Sequence, residues 1–154
     1  MKKTARQKCL SAFQELRRLQ EADDNGYVTC ISSGRSYYWN DRVDGGHFIP
    51  RGCKATELEP DNVFPQSKHD NKHLSGNHAA YRRNLVEKIG IERIERLELL
   101  ESASNGDESA FKQLSAKDCI KAISVPNNQE YDTMAKAIRM MSRQIKKRIP
   151  KQWN

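Results

Sequence analysis

Four polar positions between residues 44 and 73 carry side chains suited to hydrolysing a phosphodiester: Asp44, His47, Asn62 and the run His69-Asp70-Asn71-Lys72-His73. Such hydrolysis needs an attacking water, a base to take its proton, and positive charge on the phosphorane and leaving oxygen. A histidine supplies a base near neutral pH. One hard cation held by a few oxygen or nitrogen ligands supplies the Lewis acid. Taken singly, these residues have plainer readings. His47 beside Phe48 fits a half-buried strand histidine, Asn62 after Pro60-Asp61 is ordinary turn chemistry, and Asp70-Asn71 suits a helix N-cap. His69 and His73, four apart, would share one helix face as a zinc pair, although no third soft ligand has a clear place.

For these groups to meet, a strand, a loop, a second strand and a helix start must converge. Residues 43–50 read as a strand, and Gly45-Gly46 inside it predicts a bulge or a close backbone approach. A short extended piece over 62–64 is expected to stop at Pro65, and a helix to begin near Lys68. That helix is interrupted at Ser75-Gly76-Asn77 and resumes from His78 to Ile89. A helix crossing a hairpin would bring the polar groups to one place.

Around this unit, residues 4–22 have helical spacing with Cys9, Phe13 and Leu16 on one stripe. Strands are predicted over 27–31 and 36–39, about a Ser32-Ser33-Gly34 turn. Helices follow over 91–103, over 109–124 with a new start at Ser115, and over 129–148. The last is basic, with Met134, Ile138, Met141 and Ile145 on its buried side as core or a dimer contact. The order is α+β. One domain is expected over 1–154: an N-terminal basic helix (1–26), a small core (27–90) and a C-terminal helical extension (91–154).

The 27 Lys and Arg against 20 Asp and Glu leave a net charge of +7, which points to a polyanionic partner. Basic residues concentrate at the two ends, and acidic ones between residues 92 and 108. Ordinary solvated helix faces would give a similar pattern. The four cysteines stand far apart with no C-x-x-C pair, which fits reduced thiols. No apolar run approaches the roughly 18 residues that would span a bilayer. A soluble, cytosolic protein is expected.

A His in a hairpin, an Asn opening its second strand and a second Asn nine residues on resemble the order of HNH nucleases. The local wording is closer still to the lambda NinG (Rap) recombination-endonuclease family. It is carried by Cys30-Ile31-Ser32-Ser33-Gly34, Asp44-Gly45-Gly46-His47-Phe48 and Asn62-Val63-Phe64-Pro65-Gln66-Ser67. Asn71-Lys72-His73-Leu74-Ser75-Gly76-Asn77, Tyr81-Arg82 and Glu87-Lys88-Ile89-Gly90 follow, so the likeness covers about residues 5–90.

The resemblance implies a ββα-metal (HNH-like) core with flanking N- and C-terminal helices and one divalent cation, Mg²⁺ or Mn²⁺. His47 would be the general base, and Asn62 would bond loop backbone and so aim it. Asn71 matches a metal-ligand position, Asp44 is the candidate for a second ligand, and His73 would touch the metal or the phosphate. Arg51, Lys72, Arg82 and Arg83 are candidate phosphate contacts. Where relatives carry two C-x-x-C pairs that bind structural zinc, this chain has Cys30 with Ser33 and Ser67 with Asp70. With one thiolate left, a closed zinc site is not expected.

The implied substrates are duplex or branched DNA, such as Holliday junctions and D-loops. The implied setting is the cytoplasm of a bacterial host, with the protein phage or prophage encoded. A homodimer and contacts with phage or host recombination proteins are further expectations. Two rivals stand beside the nuclease. One is a DNA-binding protein on an HNH fold whose metal site has decayed, the other a recombination adaptor recruiting through its acidic helix.

Overall fold

The computed structural model describes residues 1–74 and 77–152. The chain opens with α1 (Ala5–Gln20), started by a reciprocal cap: Thr4 Oγ1 accepts from the Gln7 amide, and the Gln7 side chain accepts from the Thr4 amide. Two antiparallel pairs follow. β1 (Tyr27–Thr29) pairs with β2 (Ser36–Tyr38), and β3 (Val43–His47) with β4 (Val63–Ser67). Then come α2 (His78–Ile89), α3 (Ile91–Ser104), α4 (Glu108–Gln113), α5 (Ala116–Ile123) and α6 (Asn128–Lys146). Gly90 ends α2 at φ 85°, a backbone conformation that favours glycine, and α3 starts at the next residue. The architecture is α+β, as composition and periodicity predict.

The β3–β4 hairpin lies between helices. On one side Phe48, Ile49 and Phe64 pack with Tyr81 and Leu85 of α2 and with Ile94 and Leu97 of α3. On the other side α1 lies against both strands, and α6 packs along α1. Arg17 of α1 is 7% exposed and donates Nε to the carbonyls of Val63 (2.9 Å) and Pro60 (3.2 Å), with its guanidinium over the Phe64 ring. A residue counted among the surplus cations is therefore a buried clamp on β4. The Tyr38 and Trp39 rings join Leu19, Val28 and Val43 in a separate cluster.

Tyr81 ties α2 to the hairpin. Its hydroxyl accepts from the Phe64 amide (3.1 Å) and donates to the Gly46 carbonyl (2.7 Å), bridging the two strands. Burial drives the phenol pKa far above its ordinary value, so the proton that makes the second bond stays in place. Tyr81→Phe keeps the ring but removes the hydroxyl bonds that two buried backbone groups make besides their ladder pairing. We expect a loss of about 1–3 kcal/mol in urea unfolding. Unchanged stability would mean the ladder pairing alone holds the strands.

Four expectations are corrected or sharpened. No bulge forms at Gly45-Gly46: the ladder runs without a break from Val43↔Ser67 to His47↔Val63. The glycines serve close approach instead. A Cβ on Gly45 would stand 2.8 Å from the Gln14 carbonyl oxygen, and one on Gly46 2.8 Å from Gln66 Cβ. Secondly, Pro65 does not stop the strand, because β4 runs through it to Ser67. The Pro65 carbonyl accepts from Ile31 N at 2.8 Å, on the side away from β3, so its missing N–H removes no bond of the ladder.

Thirdly, a helix does begin at Lys68 as expected, but it is not an α-helix. His69–His73 form one turn of π-helix, and the α-helix starts at His78 after Asn77, which is left-handed at φ 43°. Ser75 and Gly76, where an interruption is predicted, lie outside the described residues. Asn71 therefore does not sit at an α-helix N-terminus, and no helix dipole can be credited to it. Lastly, the buried line of α6 runs through Tyr131, Ala135 and Ser142, with Ile138 and Ile145 half-buried, while Met141 is 49% exposed. Small side chains at 135 and 142 let α6 approach α1 closely, and this displaces the predicted stripe by one position. Most of that stripe is thus used inside the molecule.

Candidate active site

Three of the predicted catalytic and metal-ligand residues line one open cleft of about 540 Å³: Asp44 and His47 from β3, and Asn71 from the turn after β4. Asn71 Nδ2 lies 3.2 Å from Asp44 Oδ2, so residues 27 apart in sequence are in contact. Arg51 and Lys72 line the same cleft. The antiparallel register explains the meeting: β4 ends opposite Val43, so the chain turns back over the start of β3, where Asp44 sits.

His47 is half-buried, and its Nε2 lies 2.9 Å from the Glu57 carbonyl oxygen. A carbonyl only accepts, so Nε2 must carry the proton, and the neutral ring keeps its lone pair on Nδ1. Burial lowers the imidazole pKa below its ordinary 6.5; the Glu57 carbonyl bond opposes this in part, and the Arg51 charge adds a smaller lowering. A neutral ring with a fixed tautomer is the form a general base requires.

Asn62 holds the loop that presents this carbonyl. Its side chain is fully buried and makes three bonds to loop backbone. It accepts from Ile49 N (2.7 Å) and donates to the carbonyls of Ile49 and Thr56, each at 3.0 Å. The next residue is Glu57, whose own side chain anchors the loop from outside. One Glu57 carboxylate oxygen takes Arg6 of α1 at 2.6 Å, and the other takes the Tyr131 hydroxyl of α6 at 2.6 Å. Glu57 is 1% exposed, so this joint lies inside the protein.

The other predicted residues are not brought into the cleft. His73 is exposed, and its ring neighbour is His69, with centroids 5.5 Å apart. Arg82 pairs with Glu98 of α3 at 3.1 Å, and Arg83 is exposed on α2. Neither arginine is among the cleft-lining residues. The cleft has another wall instead, made by Ser11, Gln14 and Arg18 of α1. Arg18 donates to the carbonyls of Trp39 and Val43 at 3.3 Å, and its head lies over the Trp39 ring. Burial lowers its pKa, with Glu15 and Asp44 acting the other way. The i, i+3, i+7 spacing of 11, 14 and 18 does mark one helix face, but nothing in the sequence aims that face at β3.

Cys30, Ser33, Ser67 and Asp70 do converge, held by hydrogen bonds. Cys30 Sγ accepts from the amides of Ser67 (3.2 Å) and Ser33 (3.4 Å). Asp70 takes the Ser67 hydroxyl on one oxygen and Asn77 Nδ2 on the other at 2.7 Å, with Cys30 Sγ 3.8 Å away. Burial works to raise the Asp70 pKa, but the Ser67 and Asn77 bonds and the His69 charge outweigh it, and the carboxyl sits below its ordinary value. A buried carboxylate knot thus holds the turn carrying Asn71 to the end of β4.

Among the described residues, no group of three or more His, Cys, Asp and Glu is placed to hold a metal ion. The Asp44–Asn71 pair offers a different donor set: carboxylate and carboxamide oxygens beside open space. That fits a hard cation such as Mg²⁺, which keeps several waters and needs only one or two protein oxygens. The Asn71 amide presents its oxygen after a simple flip.

Residues 2–124 match the family described as Bacteriophage Lambda NinG protein. The chain belongs to that family. The NinG match takes in the whole hairpin, the cleft and α1 to α5, and ends before α6. No curated protein and no solved structure matches the chain. No helix among the described residues is long and apolar enough to cross a membrane.

Proposed function

We propose that this NinG-family chain is a metal-dependent DNA endonuclease of the HNH type, acting in the host cytoplasm on duplex or branched DNA. The observation that carries the reading is the cleft itself, where an imidazole of fixed tautomer shares one wall with a contacting carboxylate–carboxamide pair. Branched recombination intermediates as the substrate follow from the family resemblance alone.

In this reading His47, neutral at pH 7, takes a proton from the attacking water on Nδ1. The Glu57 carbonyl keeps the ring in place and favours the imidazolium that forms. Asp44 and Asn71 would hold the cation. When bound, it supplies positive charge to the scissile phosphate and the leaving oxygen. Arg51, Lys72 and Arg18 add fixed positive charge along the cleft, where phosphates of the backbone would lie. Asn62 and Glu57 act through His47, by holding its loop.

Supercoiled plasmid and a four-way junction incubated with Mg²⁺ or Mn²⁺ test the reading. Wild-type protein should cut at least one substrate, and chelator should stop it. Asp44→Ala and Asn71→Ala should weaken Mn²⁺ binding, followed by electron paramagnetic resonance, together with cutting. DNA that binds with normal affinity yet stays intact with both cations would leave a binding module in place of a nuclease.

The reading also sets a pH dependence. The active form of His47 is unprotonated, so activity rises as pH climbs through its pKa. Because burial and Arg51 lower that pKa, the acid limb of kcat/KM should fall below 6.5. An acid limb centred above 6.5 would assign the titration to another group.

A further inference from the structure

The cleft is one end of a longer basic surface over α1. Beside it lies a second depression lined by Lys2, Lys3, Arg6 and Arg51, which shares Ser11 and Arg51 with the cleft. A third, of about 400 Å³, lies between α1 and α6 and shares Lys3 and Ser11 with the second. Lys8 of α1 and Arg139, Arg143 and Lys146 of α6 line it. The three depressions are contiguous, and cations border each of them.

In the second depression Arg6 is already paired with Glu57, but the partnering of the α1–α6 cations separates that groove from an ordinary solvated helix face. Around α3, arginines meet acids: Arg82 with Glu98 at 3.1 Å, and Arg96 with Glu59 at 2.9 Å and Asp118 at 2.7 Å. Along the α1–α6 groove the one acid is Glu15, and Lys146 already occupies it at 2.7 Å. Among the described residues, Lys8, Arg139 and Arg143 meet no acidic side chain. Arg139, Arg143 and Lys146 follow i, i+4, i+7 spacing, so they stand in a row on α6 over about 10 Å of helix axis. Duplex DNA carries one phosphate per strand for roughly each 3.4 Å of its axis, a spacing such a row can follow.

We propose that the α1–α6 groove is a second DNA-backbone contact, holding a duplex arm continuous with the one at the cleft. The proposal rests on the reading of this chain as a protein that acts on DNA. It gives α6, which lies beyond the family match, a task besides packing: it extends the footprint and so the orientation of the bound arm. Phosphate contacts of this kind position DNA without reading its sequence.

The test is binding of a fluorescent 30-base-pair duplex by anisotropy, in chelator so that no cutting occurs, over a range of salt. Each lost phosphate contact reduces the slope of log K against log salt by about 0.9. Arg139→Ala with Arg143→Ala should therefore lower the slope by roughly 2 and weaken binding at 0.1 M salt at least several-fold. The control pair Lys112→Ala with Lys117→Ala removes the same charge from the exposed α4–α5 side and should leave the slope unchanged. Lysine at 139 and 143 should restore binding, because the charge is kept. An unaltered slope in the alanine pair, or an equal fall in the control pair, overturns the proposal. Wild-type protein that fails to bind DNA at all would sink the nuclease reading as well, whereas intact binding by every variant sinks the groove alone.

Discussion

His47→Gln should reduce metal-dependent nicking by about 100- to 10,000-fold, the range that a lost general base accounts for. Gln is chosen because its amide can still donate to the Glu57 carbonyl, 2.9 Å from His47 Nε2 in the native protein. It cannot take a proton from water. Circular dichroism and melting temperature should therefore stay close to wild type while the rate collapses. Affinity for DNA in chelator should also hold, since Arg51, Lys72 and Arg18 remain. His47→Ala should lose the same activity with a small added loss of stability, from an unpaired carbonyl. A Gln variant that cuts at the wild-type rate would remove His47 from the chemistry. The cleft would then need another base, and its lining residues offer only Asp44.

Asn62→Ala is expected to have the largest effect on stability of any substitution considered. It strips partners from Ile49 N, Ile49 O and Thr56 O in a place with no access to water. Three orphaned backbone groups should cost about 3–5 kcal/mol in urea unfolding and lower the melting temperature by roughly 10 °C. Asn62→Asp separates the two halves of the amide's work. It keeps an acceptor for Ile49 N, loses both donations and buries a charge, so it should do no better than Ala. The fraction that stays folded should also cut slowly, because Thr56 adjoins the Glu57 carbonyl that sets the imidazole. Full stability in the Ala variant would show that the loop is held without Asn62, and its proposed influence on His47 would go with it.

Part of the candidate cleft was legible in the sequence. Asp44 and His47 stand out by residue type, Asn71 is singled out of the run 69–73 by the family resemblance, and the three do line one cleft. His73 could be chosen on the same grounds, yet it lies outside. One residue decides the difference. On a regular helix Asn71 and His73 would be set by a known turn, but the segment is a single π-helical turn, and the direction of its side chains depends on what Asp70 binds. Arg82 misled for another reason. A cation near a motif looks free until the acid facing it is known, and Glu98 comes from a helix sixteen residues later.

Local pattern alone marked several helix boundaries, because caps and glycines act on their own neighbours: Ser115 at α5, Gly90 between α2 and α3. It also marked Gly45 and Gly46 as a bulge or a close approach of backbone, and left that choice open. Only the tertiary structure decided that α1 is the approaching element, that Arg17 is a buried clamp and Arg18 a cleft wall, and that Glu57 is gripped by Arg6 and Tyr131 from opposite ends of the chain. The physical reason is range. Backbone preferences are settled within a turn or two, whereas the partner of a buried charge is whichever group packing delivers, and sequence distance carries no record of it.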